Sequence, residues 1–354
     1  MGGPLMSSNA KQLFERTKLR DVARKAGVSL ATVDRVVNRR SGVRDKTIKR
    51  VEEAMDDLGY RLDPMARRLA RNQNFRFLFI LPKGNNSFMM QLREQVERTA
   101  EWAVSQRGFI DMIEVDVFDA EALAQTLDHL DDTYQGVATV ALDHPRVRVA
   151  IDDLTQRGIP VITLVSDVPH SRRLHYVGVD NPAAGRTAGS LMGRFLNLRE
   201  GVIGILVGSL ALRDHAERHF GFNQVLTQDY PHLKMLPVVE GRDDFDLSKK
   251  CVLDMIAQTP DLIGLYSAGA GNRGIAQALV ESQMGNQIVW IGHELTAHTR
   301  RFLFQGIMDA VINQDSGHEA RSAARLLLAH CWNETVLEDQ ERIRIDIFIK
   351  DNIL

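Results

Sequence analysis

The sequence predicts an α/β protein in two parts. A small all-α helix-turn-helix head is followed by a two-lobed body of parallel sheets flanked by helices. Three observations predict this. Apolar residues between Leu19 and Leu58 recur at three- and four-residue steps, the spacing of helix faces. From Phe75 onward, short apolar runs alternate with helical stretches, the pattern of parallel sheets. Charge is also split: Arg16–Arg71 holds 16 Lys/Arg and 8 Asp/Glu, whereas the whole chain holds 44 and 46. A length of 354 residues exceeds one comfortable core, so several domains are expected.

Residues 1–16, MGGPLMSSNAKQLFER, lack the long apolar core of a secretory signal and read as a disordered leader. The head spans 17–62. Leu19, Val22, Ala23 and Ala26 form one apolar face, and Val33, Val36 and Val37 a second. Gly27 can end the first helix in the left-handed conformation, and Ser29 can cap the second. Thr17 is the expected N-cap of the first helix and is counted among the expected DNA-binding residues. Two short helices joined this way form a unit that sets its second helix into the DNA major groove. A third helix, Asp45–Leu58, closes the small core with Ile48, Val51, Met55 and Leu58, and Gly59 stops it. The basic balance of this segment fits a polyanionic partner.

The stretch DVARKAGVSLATVDRVVN, followed by VRDKTIKRVEEAMDDLGY and DPMARRLAR, resembles the DNA-binding head of the lactose/galactose-repressor family. The resemblance runs without a gap through about the first fifth of the chain. It implies a DNA-binding transcriptional regulator, usually a repressor, controlled by a small molecule. It places Leu30 and Ala31 at the main base-reading positions. Their side chains suit thymine methyls, Arg35 suits guanine, and Thr32 and Asn38 suit phosphates. Asp34 departs from the small hydroxyl residue common there. Segment 63–74 reads as a hinge helix, with Asp63 and Pro64 as its start. By the same resemblance Leu69 is a minor-groove wedge and Arg68 a phosphate contact. The partners implied are double-stranded DNA with a near-palindromic operator and a second copy of the chain.

In the body, 75–354, strands are expected at Arg76–Leu81, Phe109–Val115, Gly136–Leu142, Val161–Val165, Val202–Val207, Lys234–Val239, Leu262–Ser267, Ile288–Ile291, Ala310–Asn313 and Arg344–Ile349. About ten strands exceed one sheet. The family's body is similar to periplasmic sugar-binding proteins, in which the chain crosses between lobes three times. With crossings near Tyr176, Glu294 and Ala324, lobe 1 takes 75–176 and 295–324, and lobe 2 takes 177–294 and 325–354.

Ligands gather at the carboxyl ends of strands in such sheets. The residues following the strands give Asn86, Phe88, His144 and Asp167 in the first lobe. Arg218, three residues before Gly221, resembles the family's ligand-binding arginine, and Gln314 a cleft glutamine of the sugar binders. Asn272 and His293 complete the effector set. Ala268-Gly269 stands where the family usually shows Asn-Asp, and His293 where it usually shows Asp. The implied effector is a sugar or sugar derivative, and the extra imidazole and guanidinium groups suit an anionic one.

A second functional reading rests on Gly269-Ala270-Gly271-Asn272-Arg273-Gly274. This is G-x-G-x-x-G opening a helix, with Glu294 twenty positions beyond, the signature of an NAD-dependent oxidoreductase. No catalytic set accompanies it, so neither enzyme activity nor a cofactor is expected. Cys251 and Cys331 are too few and too distant for a metal site, and they suit a reducing cytoplasm. A third reading, a non-regulatory sugar-binding protein, is disfavoured by the basic head. No stretch is long and apolar enough to enter a membrane.

Overall fold

The computed structural model describes residues 17–37, 41–60, 73–84, 86–116 and 118–353. The expected leader, Asn38, Arg68, Leu69 and the hinge helix around them lie outside the described residues. The chain forms two compact units, Met1–Gln73 and Asn74–Leu354.

The first unit holds α1 (Leu19–Ala26), α2 (Leu30–Val37) and α3 (Asp45–Asp57). Gly27 sits at φ 62° and ends α1. Its N–H donates to Arg24 O, and that of Val28 to Ala23 O, which satisfies carbonyls the helix leaves open. Ser29 Oγ accepts from Thr32 N at 3.1 Å, so the second expected cap is present. Thr17 does not cap α1. The N-cap is Lys18, whose N–H donates to Asp21 Oδ2 at 3.0 Å. Thr17 Oγ1 instead donates to Leu58 O at 3.1 Å, tying the start of α1 to the end of α3. Val22, Ala23, Ala26, Val33, Val37, Val51 and Ala54 form the core, with Val36, Met55 and Leu58 packed on it.

The body begins with β1 (Phe75–Pro82), α4 (Ser87–Ser105), β2 (Gly108–Val115), α5 (Ala120–Asp128), β3 (Gly136–Thr139), α6 (Pro145–Gln156), β4 (Val161–Leu164) and β5 (His175–Val177). These strands form a five-stranded parallel sheet, order β2-β1-β3-β4-β5. The apolar run of β1 is explained by burial on both faces. Phe75, Phe77, Phe79 and Leu81 point to one core, Leu78 and Ile80 to the other.

The second half contains α7 (Asn181–Leu196), β6 (Gly201–Val207), α8 (Arg213–Asp229), β7 (Leu233–Met235), β8 (Val239–Glu240), α9 (Phe245–Gln258), β9 (Leu262–Ser267), α10 (Asn272–Glu281), β10 (Val289–His293), α11 (Ala297–Phe304), β11 (Ala310–Asn313), α12 (Ser316–Trp332), α13 (Glu338–Glu341) and β12 (Asp346–Phe348). The second sheet has the order β12-β11-β10-β9-β6-β7, with β8 also on β6. It is parallel apart from the antiparallel β11–β12 pair.

Two of the three expected crossings are displaced. β11 pairs with β10, so Ala310–Asn313 belongs to lobe 2 and not to lobe 1. The chain crosses after it, and Ala320, Ala324, Leu327, Leu328 and Trp332 of α12 pack against Phe75 and Phe77. Ile343 is still in that first-lobe core, so 325–343 is not part of lobe 2 and the last crossing precedes β12. Strand partners and helix packing decide the lobe, and neither is written in a local apolar pattern. Two strand assignments also change: the run Lys234–Val239 is two short strands, and the three-residue β5 has no recognisable alternation.

Candidate functional site

In the head, α2 seals Val33 and Val37 inside and leaves its opposite face open. Leu30, 52% exposed, stands at the first position of that helix. Ala31 and Arg35 are exposed, and Thr32 is half-buried with its hydroxyl 2.8 Å from that of Ser29. An exposed leucine and alanine at a helix start, with an arginine one turn on, can enter a groove and touch base edges.

In the body, a cavity of about 360 Å³ is lined from both lobes. Strand ends and the helices that follow them deliver Asn86 and Phe88 from the first lobe, and Arg218, Asn272, His293 and Gln314 from the second half. Two expected residues do not reach it. His144 caps α6, its Nδ1 accepting from Arg146 N at 3.3 Å. Asp167 is spent within its own loop, on Thr163 Oγ1 at 2.7 Å and on Arg173, whose Nη2 lies 2.6 Å away. The sequence reading passed over Asp214, His215, Asp243 and Phe245, which line the cavity, and did not count Glu294 in the effector set although it also lines it. The strand-end rule could have found Asp243, which follows β8 in EGRDDF, had the run Lys234–Val239 been split correctly.

Contacts among the described residues join the lobes at this cavity and beyond it. Asn86 Nδ2 donates to Asp243 Oδ2 at 2.9 Å, while Asn86 Oδ1 caps α4. Arg213 Nη1 donates to Asp143 Oδ2 at 3.2 Å, and Gln91 Nε2 to Leu295 O at 3.4 Å. The Arg242 guanidinium lies over the Phe118 ring, 5.7 Å from its centre.

The floor is a buried polar cluster. Arg218, only 2% exposed, donates through Nε to Asn181 Oδ1 at 2.8 Å and through Nη1 to Ala268 O at 3.1 Å. Its Nη2 faces Glu294 Oε1 at 3.5 Å, and Gln314 Nε2 donates to the same oxygen at 2.9 Å. Arg218 is carried here because α8 lies close against α7: a Cβ on Gly221 would stand 2.1 Å from Pro182 O. Burial pushes the Glu294 carboxyl up to about 7, against the pull of Arg218 and of the Gln314 hydrogen bond. Burial, with Arg218 and His215 nearby, holds the His293 ring well below its ordinary value. That ring is neutral and bonds the Tyr266 hydroxyl through Nε2 at 2.9 Å. The guanidinium and imidazole expected to suit an anion are therefore already engaged by the protein.

The glycine loop is also occupied from within. Asp243 Oδ1 accepts from Ala270 N at 2.8 Å, placing a carboxylate where a cofactor phosphate would lie. Gly274 serves helix packing, since a Cβ there would stand 2.1 Å from Phe245 O of α9. No group of His, Cys, Asp and Glu among the described residues is arranged to hold a metal ion. No helix among them is long and apolar enough to cross a membrane.

Comparison with known proteins agrees with this division. A family model described as "Bacterial regulatory proteins, lacI family" matches residues 18–63. One described as "Periplasmic binding protein domain" matches residues 77–335. The chain is 41% identical over 96 residues to a sucrose operon repressor of Lactococcus lactis subsp. lactis, covering 27% of this chain and 29% of that protein. It is 26% identical over 243 residues to the catabolite control protein A of Priestia megaterium, covering 67% of this chain and 69% of that one. A glucose-galactose binding protein from Geobacillus stearothermophilus has the same fold as the body. Its TM-score is 0.70 at 19% identity, over 79% of this chain and 99% of that one.

Proposed function

The chain belongs to the lacI family of bacterial regulatory proteins and carries a periplasmic-binding-protein body, and from that membership we propose that it is a cytoplasmic, homodimeric transcriptional repressor released or recruited by a small sugar-like effector. The observation that carries this reading is the pairing of an open α2 face with a cavity bridged by two lobes. Leu30 and Ala31 read base edges and Arg35 donates to guanine. Thr32, Asn38 and Arg68 hold phosphates, and Leu69 wedges the minor groove. Thr17, whose hydroxyl braces α3, also retains lone pairs and a position at the edge of the head, but its contribution to DNA binding is through that brace.

Asn86, Phe88, Arg218, Asn272, His293 and Gln314 form the effector site with Asp214 and Glu294. A ligand seated there touches both lobes and favours the closed pair. The effector shifts operator affinity by the difference in its affinity for the two lobe arrangements, and by no more. Two heads of a twofold dimer select a near-palindromic operator. A thermal-shift screen of sugars and sugar derivatives on the full chain, repeated with Arg218→Ala, tests the site. Stabilisation by one compound that is lost in the variant is expected. No stabilisation by any of them overturns the effector class.

A further inference from the structure

Four polar atoms at the cavity are left over: Ser166 Oγ, Asp214 Oδ1, Glu294 Oε2 and Gln314 Oε1. Each belongs to a buried residue, and none of the four has a hydrogen-bond partner among the described residues. An orphaned buried acceptor is costly, so whatever fills the cavity must donate to it.

The nearest side-chain donors are directed elsewhere. Arg218 is shared among Asn181, Ala268 O and Glu294. His215 Nδ1 accepts from Ser209 N at 3.2 Å, which puts its proton on Nε2, 3.6 Å from Asp214 Oδ2. The Arg218 guanidinium thus faces two carboxyl groups, Asp214 and Glu294, at the buried floor. Hydroxyl groups alone would fill the lone pairs and leave the second of these carboxyl groups without a cationic partner. A sugar acid would bring a further carboxyl group to the same floor.

We infer that the cavity takes an amino sugar, a polyhydroxylated ligand whose protonated amine is held by Asp214 and Glu294 while its hydroxyls donate to Gln314 and Ser166. This rests on the reading of the cavity as an effector site. Ammonium-to-carboxylate hydrogen bonds are about twice as strong as neutral ones, so the amine distinguishes its ligand from the parent sugar.

The test is calorimetric titration of the full chain at pH 7 with glucosamine, galactosamine and mannosamine, beside the parent hexoses and glucuronate and galacturonate. At least one amine is expected to bind about tenfold or more tightly than its parent, equivalent to about 1.4 kcal/mol. The uronates are expected to be weakest. Asp214→Asn and, separately, Glu294→Gln are each expected to reduce the ratio of amine to parent-sugar affinity to less than about threefold. A parent hexose or uronate that binds as tightly as its amine overturns the inference and leaves a sugar-controlled regulator standing. Absence of binding by all three classes overturns both.

Discussion

Replacing Glu294 with Gln should flatten the pH dependence of the body's stability. Burial holds the folded carboxyl at about 7 rather than 4.5. Between those values the folded chain keeps a proton that the unfolded chain has released. Stability is therefore highest toward pH 4.5 on this account and falls as pH rises to about 7. Across pH 5.5 to 7.5 the loss from this one group is about 2 kcal/mol. Glutamine keeps the shape and removes the titration. Neutral His293 works the other way, because below about pH 6.5 the unfolded chain binds a proton that the buried ring refuses. Both chains share that effect, so their difference isolates residue 294. The three tryptophans, Trp102, Trp290 and Trp332, all lie in the body, so urea denaturation followed by their fluorescence reports that unit alone. The wild type should lose about 2 kcal/mol more than Glu294→Gln between the two pH values. Equal losses would refute a strained, buried carboxyl at 294.

Other perturbations separate structure from recognition. Leu30→Ala should leave the stability of the head within about 0.5 kcal/mol of wild type while weakening operator binding in gel shifts, since an exposed side chain holds no core. Leu69→Ala should reduce operator affinity and the DNA bend read by circular-permutation gels. Asp243→Ala removes the acceptor of both Asn86 Nδ2 and Ala270 N. It should cost about 1–3 kcal/mol in denaturant titrations of the body. Gly274→Ala forces a Cβ onto Phe245 O and should destabilise the body by more than about 3 kcal/mol, and titration with NADH should give no fluorescence change in the wild type.

The head was legible almost residue by residue because its signals are local: Gly27 must turn left-handed, Ser29 must cap, and the apolar spacing leaves Leu30 and Ala31 outside. Thr17 was misjudged because its hydroxyl finds Leu58, forty-one positions away, a contact no N-terminal pattern announces. In the body, strands buried on both faces, such as β1 and β9, stand out as apolar runs. Their partners do not. Ala310–Asn313 was recognised as a strand and placed in the wrong lobe, since only the pairing with β10 decides it. Of the polar residues that follow strands, Asn86 and Gln314 line the cavity. His144 and Asp167 do not, because a loop start must also cap its helix and clamp its turn. Asp214 was missed for the opposite reason: it sits one residue into a helix, where an acid ordinarily serves the helix end.

The most direct measurement follows operator DNA selected from genomic fragments, by fluorescence anisotropy, with the full chain at fixed salt and with or without a saturating ligand from the calorimetric panel. The account predicts a change in apparent Kd of at least about fivefold in one direction, abolished by Arg218→Ala. A ligand that fills the cavity and leaves the DNA isotherm unmoved would contradict it.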